Sequence, residues 1–126
     1  MTAIKVISFG YLHNTPPAAH ITLDLRTHFR DPHISPDLRH MTADDTPVQA
    51  AVLTTPGITD LIDATARAAA AYAAGPRAET VVVAAGCAGG RHRAPTMARA
   101  VAELLTAAGH TATATHRDLH RPVVAR

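Results

Sequence analysis

The stretch VVVAAGCAGGRHRAPT, residues 81–96, decides the fold, because it reads as a buried strand, a glycine-rich turn and the start of a helix in direct succession. Its first five residues are apolar and mostly β-branched, which is typical of an interior parallel strand. Three glycines between residues 86 and 90 permit a tight turn, and Pro95 suits the first turn of a helix. Such a turn presents unpaired N–H groups at the positive end of a helix dipole, so the stretch predicts an anion site.

Hydrophobic periodicity in the rest of the chain predicts a small α/β domain. The predicted elements are strands at residues 4–9, 20–25, 81–85 and 111–115, and helices at 48–53, 58–74 and about 97–108. Residues 27–46 are predicted to form a long loop, which in a small domain is often functional. This order favours a mostly parallel sheet with helices on both faces and the turn at residues 87–93 between a central strand and a helix.

Length and composition limit the number of domains and the possible classes of function. The 126 residues predict one domain, 1–126, and the small aromatic share of 3% means that its core is aliphatic. A formal net charge of +2 suits a phosphorylated ligand but is too small to require nucleic acid. A single cysteine excludes an internal disulfide, and no run of about 18 uncharged apolar residues occurs, so we expect a cytoplasmic protein without a membrane span.

Within the turn, five residues separate Cys87 from Arg93, which is the spacing of the phosphate loop in cysteine-dependent phosphatases. In that arrangement a thiolate lies at the centre of a ring of N–H groups, and the arginine binds two phosphate oxygens. A helix N-terminus and nearby cations lower the pKa of a thiol and would make Cys87 nucleophilic. The spacing therefore predicts phosphate binding and leaves open whether catalysis follows.

Catalysis would require more than this turn. A phosphatase with Cys87 as nucleophile and Arg93 at the transition state also needs a general acid, for which Asp24, Asp31 and Asp37 are candidates. The turn lacks the lysine of a Walker A loop, so ATP hydrolysis is not expected.

Six ordered segments resemble the C-terminal domain of the RapZ family of RNase adapter proteins, over nearly the whole chain. They are SFGYLHN at 8–14, DLR at 24–26, DPH at 31–33, PDLRHMT at 36–42 leading to Pro47 and Val48, GCAGGRHRA at 86–94, and HRDL at 116–119. The resemblance implies an α/β sensor domain that binds an amino-sugar phosphate such as glucosamine-6-phosphate. It also implies small RNA and a ribonuclease as partners, and a homo-oligomer.

The resemblance further implies which residues bind. The pocket residues are Asp24, Arg26, His33, Arg39, Thr42, Cys87, Ala88, Gly89, His92 and Arg93, and Gly90 and Arg91 complete the phosphate-binding turn. The residues that would contact RNA are Arg117, Arg121 and Arg126.

The sequence also departs from the family pattern. Position 88 is alanine where the family usually has a hydroxyl residue, and Ala94 replaces the usual serine, which counts against phosphatase chemistry. The family's nucleotide-binding half is not part of these residues, so we expect neither ATP binding nor another cofactor. His116 and His120 have helical spacing but no third ligand in register, so no metal is expected. We therefore favour a non-catalytic sensor of a phosphorylated metabolite, with a cysteine phosphatase as the alternative.

Overall fold

The computed structural model describes residues 2–126 and contains one four-stranded sheet with three α-helices. The strands are β1 Ala3–Gly10, β2 Ile21–Asp24, β3 Val81–Cys87 and β4 Thr111–His116. The helices are α1 Thr46–Leu53, α2 Ile58–Ala73 and α3 Arg93–Ala107, and a short 3-10 turn spans Pro32–Ile34. The predicted α/β class is confirmed, and each predicted strand and helix is found within a few residues of its expected bounds.

All neighbouring strands are parallel, in the order β2-β3-β1-β4. The register places Gly10 beside Cys87, and Asp24 beside Gly86. The carboxyl ends of the four strands therefore meet at one edge of the sheet, which is where open α/β sheets bind their ligands.

The core lies between the sheet and the helices. Ile4 and Val6 of β1 and Val83 of β3 are buried against apolar side chains of the helices, among them Val48 and Met97. The cluster itself is aliphatic apart from Cys87 and Met97, Phe29 packs against it, and the fully buried Phe9 lies outside it. Burial stabilises the fold by roughly 1.5–3 kcal/mol for each large side chain.

The prediction of helices on both faces is wrong in that detail. The three helices contact one another and share one core, whereas Lys5 and Thr113, neighbours on the opposite face, are exposed. The reason lies in the strand order. The connections from β2 to β3 and from β3 to β4 run in the same direction along the sheet, so crossovers of one hand put their helices on the same face. The connection from β1 to β2 runs the other way, and residues 11–20 contain no helix.

Candidate functional site

The turn at residues 87–93 lies at the carboxyl edge of the sheet, between the end of β3 and the first residue of α3. Gly90 has a φ of +75°, and an added Cβ would lie 2.8 Å from the backbone nitrogen of Gly10. Glycine at this position thus allows the turn to rest directly on the end of β1. The predicted site is placed where ligands of parallel sheets bind.

The backbone of the turn presents a row of free donors. The N–H groups of residues 89–92 find no hydrogen-bond acceptor among residues 2–126. They precede α3, a helix of 15 residues whose N-terminus carries a positive partial charge. Successive backbone N–H groups at such a position form a concavity that suits the oxygens of an anion.

Cys87 lies beneath this row of donors. Its side chain is only 3% exposed, and its Sγ accepts a hydrogen bond from the N–H of Ala94 at 3.4 Å. The thiol is thus packed against the start of α3 and shielded from solvent. This placement suits a group that fills the floor of an anion site better than a nucleophile that must reach a substrate.

Arg93 is used differently from the sequence prediction. Its side chain is buried, and Nη1 donates to the carbonyl oxygens of Leu25, Arg26 and Phe29 at 2.9, 3.1 and 3.3 Å. Its Nη2 lies 3.3 Å from Oδ2 of Asp31. The guanidinium therefore ties the segment after β2 to the start of α3. A bidentate contact between Arg93 and phosphate stays a prediction, and this internal bonding does not support it.

Arg91 and His92 fix the other side of the long loop. Nη2 of Arg91 donates to the carbonyl of His40 at 2.6 Å, and Nε2 of His92 donates to the carbonyl of Met41 at 2.8 Å. The N–H of Ala43 returns a bond to the carbonyl of Arg91 at 2.9 Å. Burial lowers the pKa of His92, so its ring is neutral at pH 7 and serves as a donor. Residues 40–43 are thereby held beside the turn.

Asp24 and Arg26 form a pair at the end of β2. Nε and Nη2 of Arg26 donate to the two carboxylate oxygens of Asp24 at 2.9 and 2.7 Å. The guanidinium also lies over the Tyr11 ring, 3.7 Å from its centroid. The hydrogen bonds from Arg26 lower the pKa of Asp24, so this carboxyl is ionised at neutral pH.

The remaining predicted pocket residues lie on the long loop. His33 lines a narrow cleft together with Cys87 and Gly89, so it faces the turn. Nε of Arg39 donates to the carbonyl of His33 at 2.8 Å, which places the two side by side. Thr42 instead caps the turn before α1, since its Oγ1 accepts from the N–H of Asp44. The structure thus brings His33 to the turn, places Arg39 next to His33 and uses Thr42 within the loop.

The three arginines predicted to contact RNA are each paired within the chain. Arg117 and Arg121 both contact the carboxylate of Asp118 at 2.9 Å, and Arg126 contacts Asp31 at 2.6 Å. Arg117 also donates to the carbonyl of Thr15 at 2.5 Å. RNA contact by these residues stays a prediction, and their internal pairing does not support it.

A family model described as the RapZ C-terminal domain matches residues 2–120. The chain belongs to the RapZ C-terminal domain family. It is 37% identical over 119 residues to "Nucleotide-binding protein SCO1952" of Streptomyces coelicolor, which covers 92% of this chain and 40% of that protein.

Proteins named "Nucleotide-binding protein" from Thermobifida fusca and Desulforamulus reducens are each 35% identical, over 120 and 122 residues. These matches cover 93% and 94% of this chain and 40% of each protein. The chain thus spans about two fifths of the length of the relatives it matches. Family membership supports a binding or regulatory role for this RapZ domain.

His116, one of the two histidines at helical spacing, is held by hydrogen bonds on both sides of its ring. Nδ1 of His116 is 2.7 Å from Oγ of Ser8, and its Nε2 accepts from Arg99, so both ring nitrogens are engaged. Among residues 2–126 no three His, Cys, Asp or Glu side chains are grouped as metal ligands. None of the helices that these residues form is long and apolar enough to cross a membrane.

Gly10 and Asp118 belong to this site, although the sequence reasoning gave neither a role. Asp118 is fully buried, and its Oδ2 accepts from the N–H of Gly10 at 2.8 Å and from Nε of Arg117 at 3.0 Å. The end of β1 is thereby locked to the segment after β4, directly beneath Gly90. The signal was available, because both residues lie in segments that resemble the family and follow predicted strands.

The Asp118→Asn substitution should destabilise the RapZ domain by about 1–3 kcal/mol at pH 7, since charge-assisted bonds to a buried acceptor are lost. Burial raises the pKa of Asp118, but the bonds from Arg117 and the Gly10 N–H outweigh it and hold the pKa below its usual value. The folded pKa of Asp118 lies below its unfolded value of about 4, so the ionised carboxylate stabilises the folded state above that pH. This contribution is lost as the pH falls through the folded pKa.

Urea unfolding of both proteins at several pH values between about 7 and 2 measures this linkage. The stability difference between wild type and variant should shrink steadily below pH of about 4. A difference that is constant over this range would show that the Asp118 charge does not stabilise the fold.

Proposed function

We propose that this RapZ domain is a non-catalytic sensor that binds a phosphorylated metabolite on the turn at residues 87–93. The observation that carries the proposal is the row of free N–H groups at residues 89–92, at the N-terminus of α3. Four successive unpaired donors next to a helix dipole suit the several oxygens of a phosphate group.

Side chains around the turn complete this proposed pocket. His33 lines the cleft at the turn, and Arg39 donates to the carbonyl of His33 and lines the adjoining cavity. Asp24 with Arg26 lies at the end of the neighbouring strand. An arginine suits phosphate oxygens, whereas the carboxylate of Asp24 suits a hydroxyl or ammonium group of the same ligand. An amino-sugar phosphate such as glucosamine-6-phosphate, which the family resemblance implies, has both kinds of group.

The relatives are named nucleotide-binding proteins, but the present chain corresponds to only 40% of each of them. A nucleotide also carries phosphate, so both ligand classes share the chemistry that the turn would recognise. The two classes differ in what lies beside the phosphate. Comparing them is therefore part of the test.

The geometry favours binding over phosphoryl transfer. A general acid must be protonated when the substrate arrives. Hydrogen bonds from Arg26 lower the pKa of Asp24, and those from Arg126 help to lower that of Asp31 despite its burial. Two of the three candidate acids, Asp24 and Asp31, are thus ionised at neutral pH and poorly suited to protonate a leaving group. Cys87 is buried as well, and position 94 is alanine.

The predicted macromolecular partners have less support than the small-molecule ligand. Contact with RNA or a ribonuclease, and assembly into a homo-oligomer, remain implications of the family resemblance. A single domain over residues 1–126 and a cytoplasmic location are likewise part of the proposal. The row of N–H groups supports only the small-molecule ligand.

Binding is tested by isothermal titration with glucosamine-6-phosphate, glucose-6-phosphate, AMP, inorganic phosphate and unphosphorylated glucosamine. We expect the amino-sugar phosphate to bind most tightly and glucosamine not to bind. Arg39→Met should weaken binding about tenfold or more, because a charge-assisted bond contributes roughly 1.5–3 kcal/mol. The matched control is Arg77→Met, which removes the same charge from an exposed position just before β3. Absence of binding by every phosphate compound to folded protein would reject the proposal.

A further inference from the structure

Residues 121–126, which we call the strap, cross the candidate site after β4. Val123 and Val124 are half-buried and line the narrow cleft above the turn, opposite Cys87, Gly89 and His92. The strap therefore lies against the same surface that presents the free N–H groups. No role for these residues follows from the proposed function alone.

Both ends of the strap are fastened. At its start, Nη1 of Arg91 donates to the carbonyl of Arg121 at 2.9 Å, and Nε of Arg121 lies 2.9 Å from Oδ1 of Asp118. At its other end, Nη1 of Arg126 contacts Oδ2 of Asp31 at 2.6 Å. The start is anchored on buried Asp118, whereas the far end depends on a single ion pair.

The strap divides the space around the turn into two unequal parts. The cleft between the strap and the turn has a volume of about 10 Å³, which is room for no more than one water molecule. On its other side, a cavity of about 560 Å³ is lined by His33, Arg39 and the strap residues Val123 and Arg126. The strap thus stands between the turn and Arg39, whereas His33 lines the space on both sides of it. A phosphate group cannot occupy the turn while the strap stays in place.

We propose that the strap is a displaceable lid that competes with the ligand, an inference that rests on the proposed function of the turn. Binding breaks the ion pair between Arg126 and Asp31, moves Val123 and Val124 off the turn and joins the cleft to the larger cavity. Asp31 keeps Arg93 as its partner and becomes free to accept a hydrogen bond from the ligand. The apparent association constant then equals the constant of the open form multiplied by the fraction of molecules in which the strap is open.

The first test needs no ligand. Cys87 is the single cysteine of the sequence, so alkylation by iodoacetamide reports on this site alone. The Arg126→Ala substitution should raise the alkylation rate several-fold at unchanged melting temperature, and deletion of residues 123–126 should raise it further. Arg126→Lys, which keeps the charge, should restore most of the protection, and Arg77→Ala should have no effect. An unchanged rate in both strap variants would overturn the inference.

The second test separates the lid from the proposed function. Titration with glucosamine-6-phosphate should give a dissociation constant at least fivefold lower for Arg126→Ala than for wild type. Equal dissociation constants in wild type, Arg126→Ala and the deletion would overturn the lid and leave the proposed function intact. Faster alkylation without any phosphate binding would support the strap as a cover and count against the proposed function.

Discussion

Arg93→Met is expected to lower the free energy of unfolding by about 3–5 kcal/mol, the usual cost of removing one partner from a buried charged network. The side chain is 3% exposed and donates to three backbone carbonyls between Leu25 and Phe29. Methionine fills a similar volume but leaves these acceptors without donors. Lysine should not rescue the loss, because one ammonium group cannot reproduce the planar fork of a guanidinium.

Urea unfolding at pH 7 measures the effect, and Arg67→Met, at an exposed position of α2, is the matched control. The control should stay within about 0.5 kcal/mol of wild type. A loss of phosphate affinity in Arg93→Met with wild-type stability would mean that the guanidinium serves the ligand alone, contrary to its bonding in the structure. Loss of stability and affinity together is the expected result.

Arg93 also shows what sequence spacing can and cannot predict. The strand, glycine and helix signals predicted a turn between β3 and α3, because such signals are local and depend on neighbouring residues. The spacing from Cys87 did not predict the partners of the guanidinium, since these are carbonyls of residues 25–29, more than 60 positions away. Such partners are set by strand order, which places β2 beside β3. Local patterns carry no information about that order.

The same limit explains the other differences. Helices on both faces were predicted from element order alone, whereas the direction of each crossover decides the face. RNA contact by Arg126 was predicted from the family resemblance and stays a prediction, but its ion pair with Asp31 at 2.6 Å could not be read from the sequence. Asp118 lies in a segment that resembles the family, but its bonds to Gly10 and Arg117 depend on how the fold places β1 beside the segment after β4. Residues that act through distant partners are the ones that sequence reasoning missed.

The second large effect is expected at Gly90, where alanine should cost about 2–5 kcal/mol. A left-handed φ costs a residue with a Cβ about 1–2 kcal/mol, and overpacking adds about 1–3 kcal/mol. The added Cβ would lie 2.8 Å from the nitrogen of Gly10 and 2.9 Å from Cβ of Asp118. Neither atom can yield without stretching the bond between the Gly10 N–H and Asp118 that holds β1 to the segment after β4.

Gly89→Ala is the matched control, because a Cβ there would meet no protein atom within 4 Å and its φ is not positive. Its stability should stay within about 0.5 kcal/mol of wild type in urea unfolding. The contrast between the two adjacent glycines isolates the packing of the turn: Gly90 rests on the end of β1 and on Asp118, whereas a Cβ at Gly89 would contact no protein atom. Equal stability of the two variants would mean that the turn shifts freely on the end of β1. A rigid row of donors, on which the proposed phosphate site depends, would then be excluded.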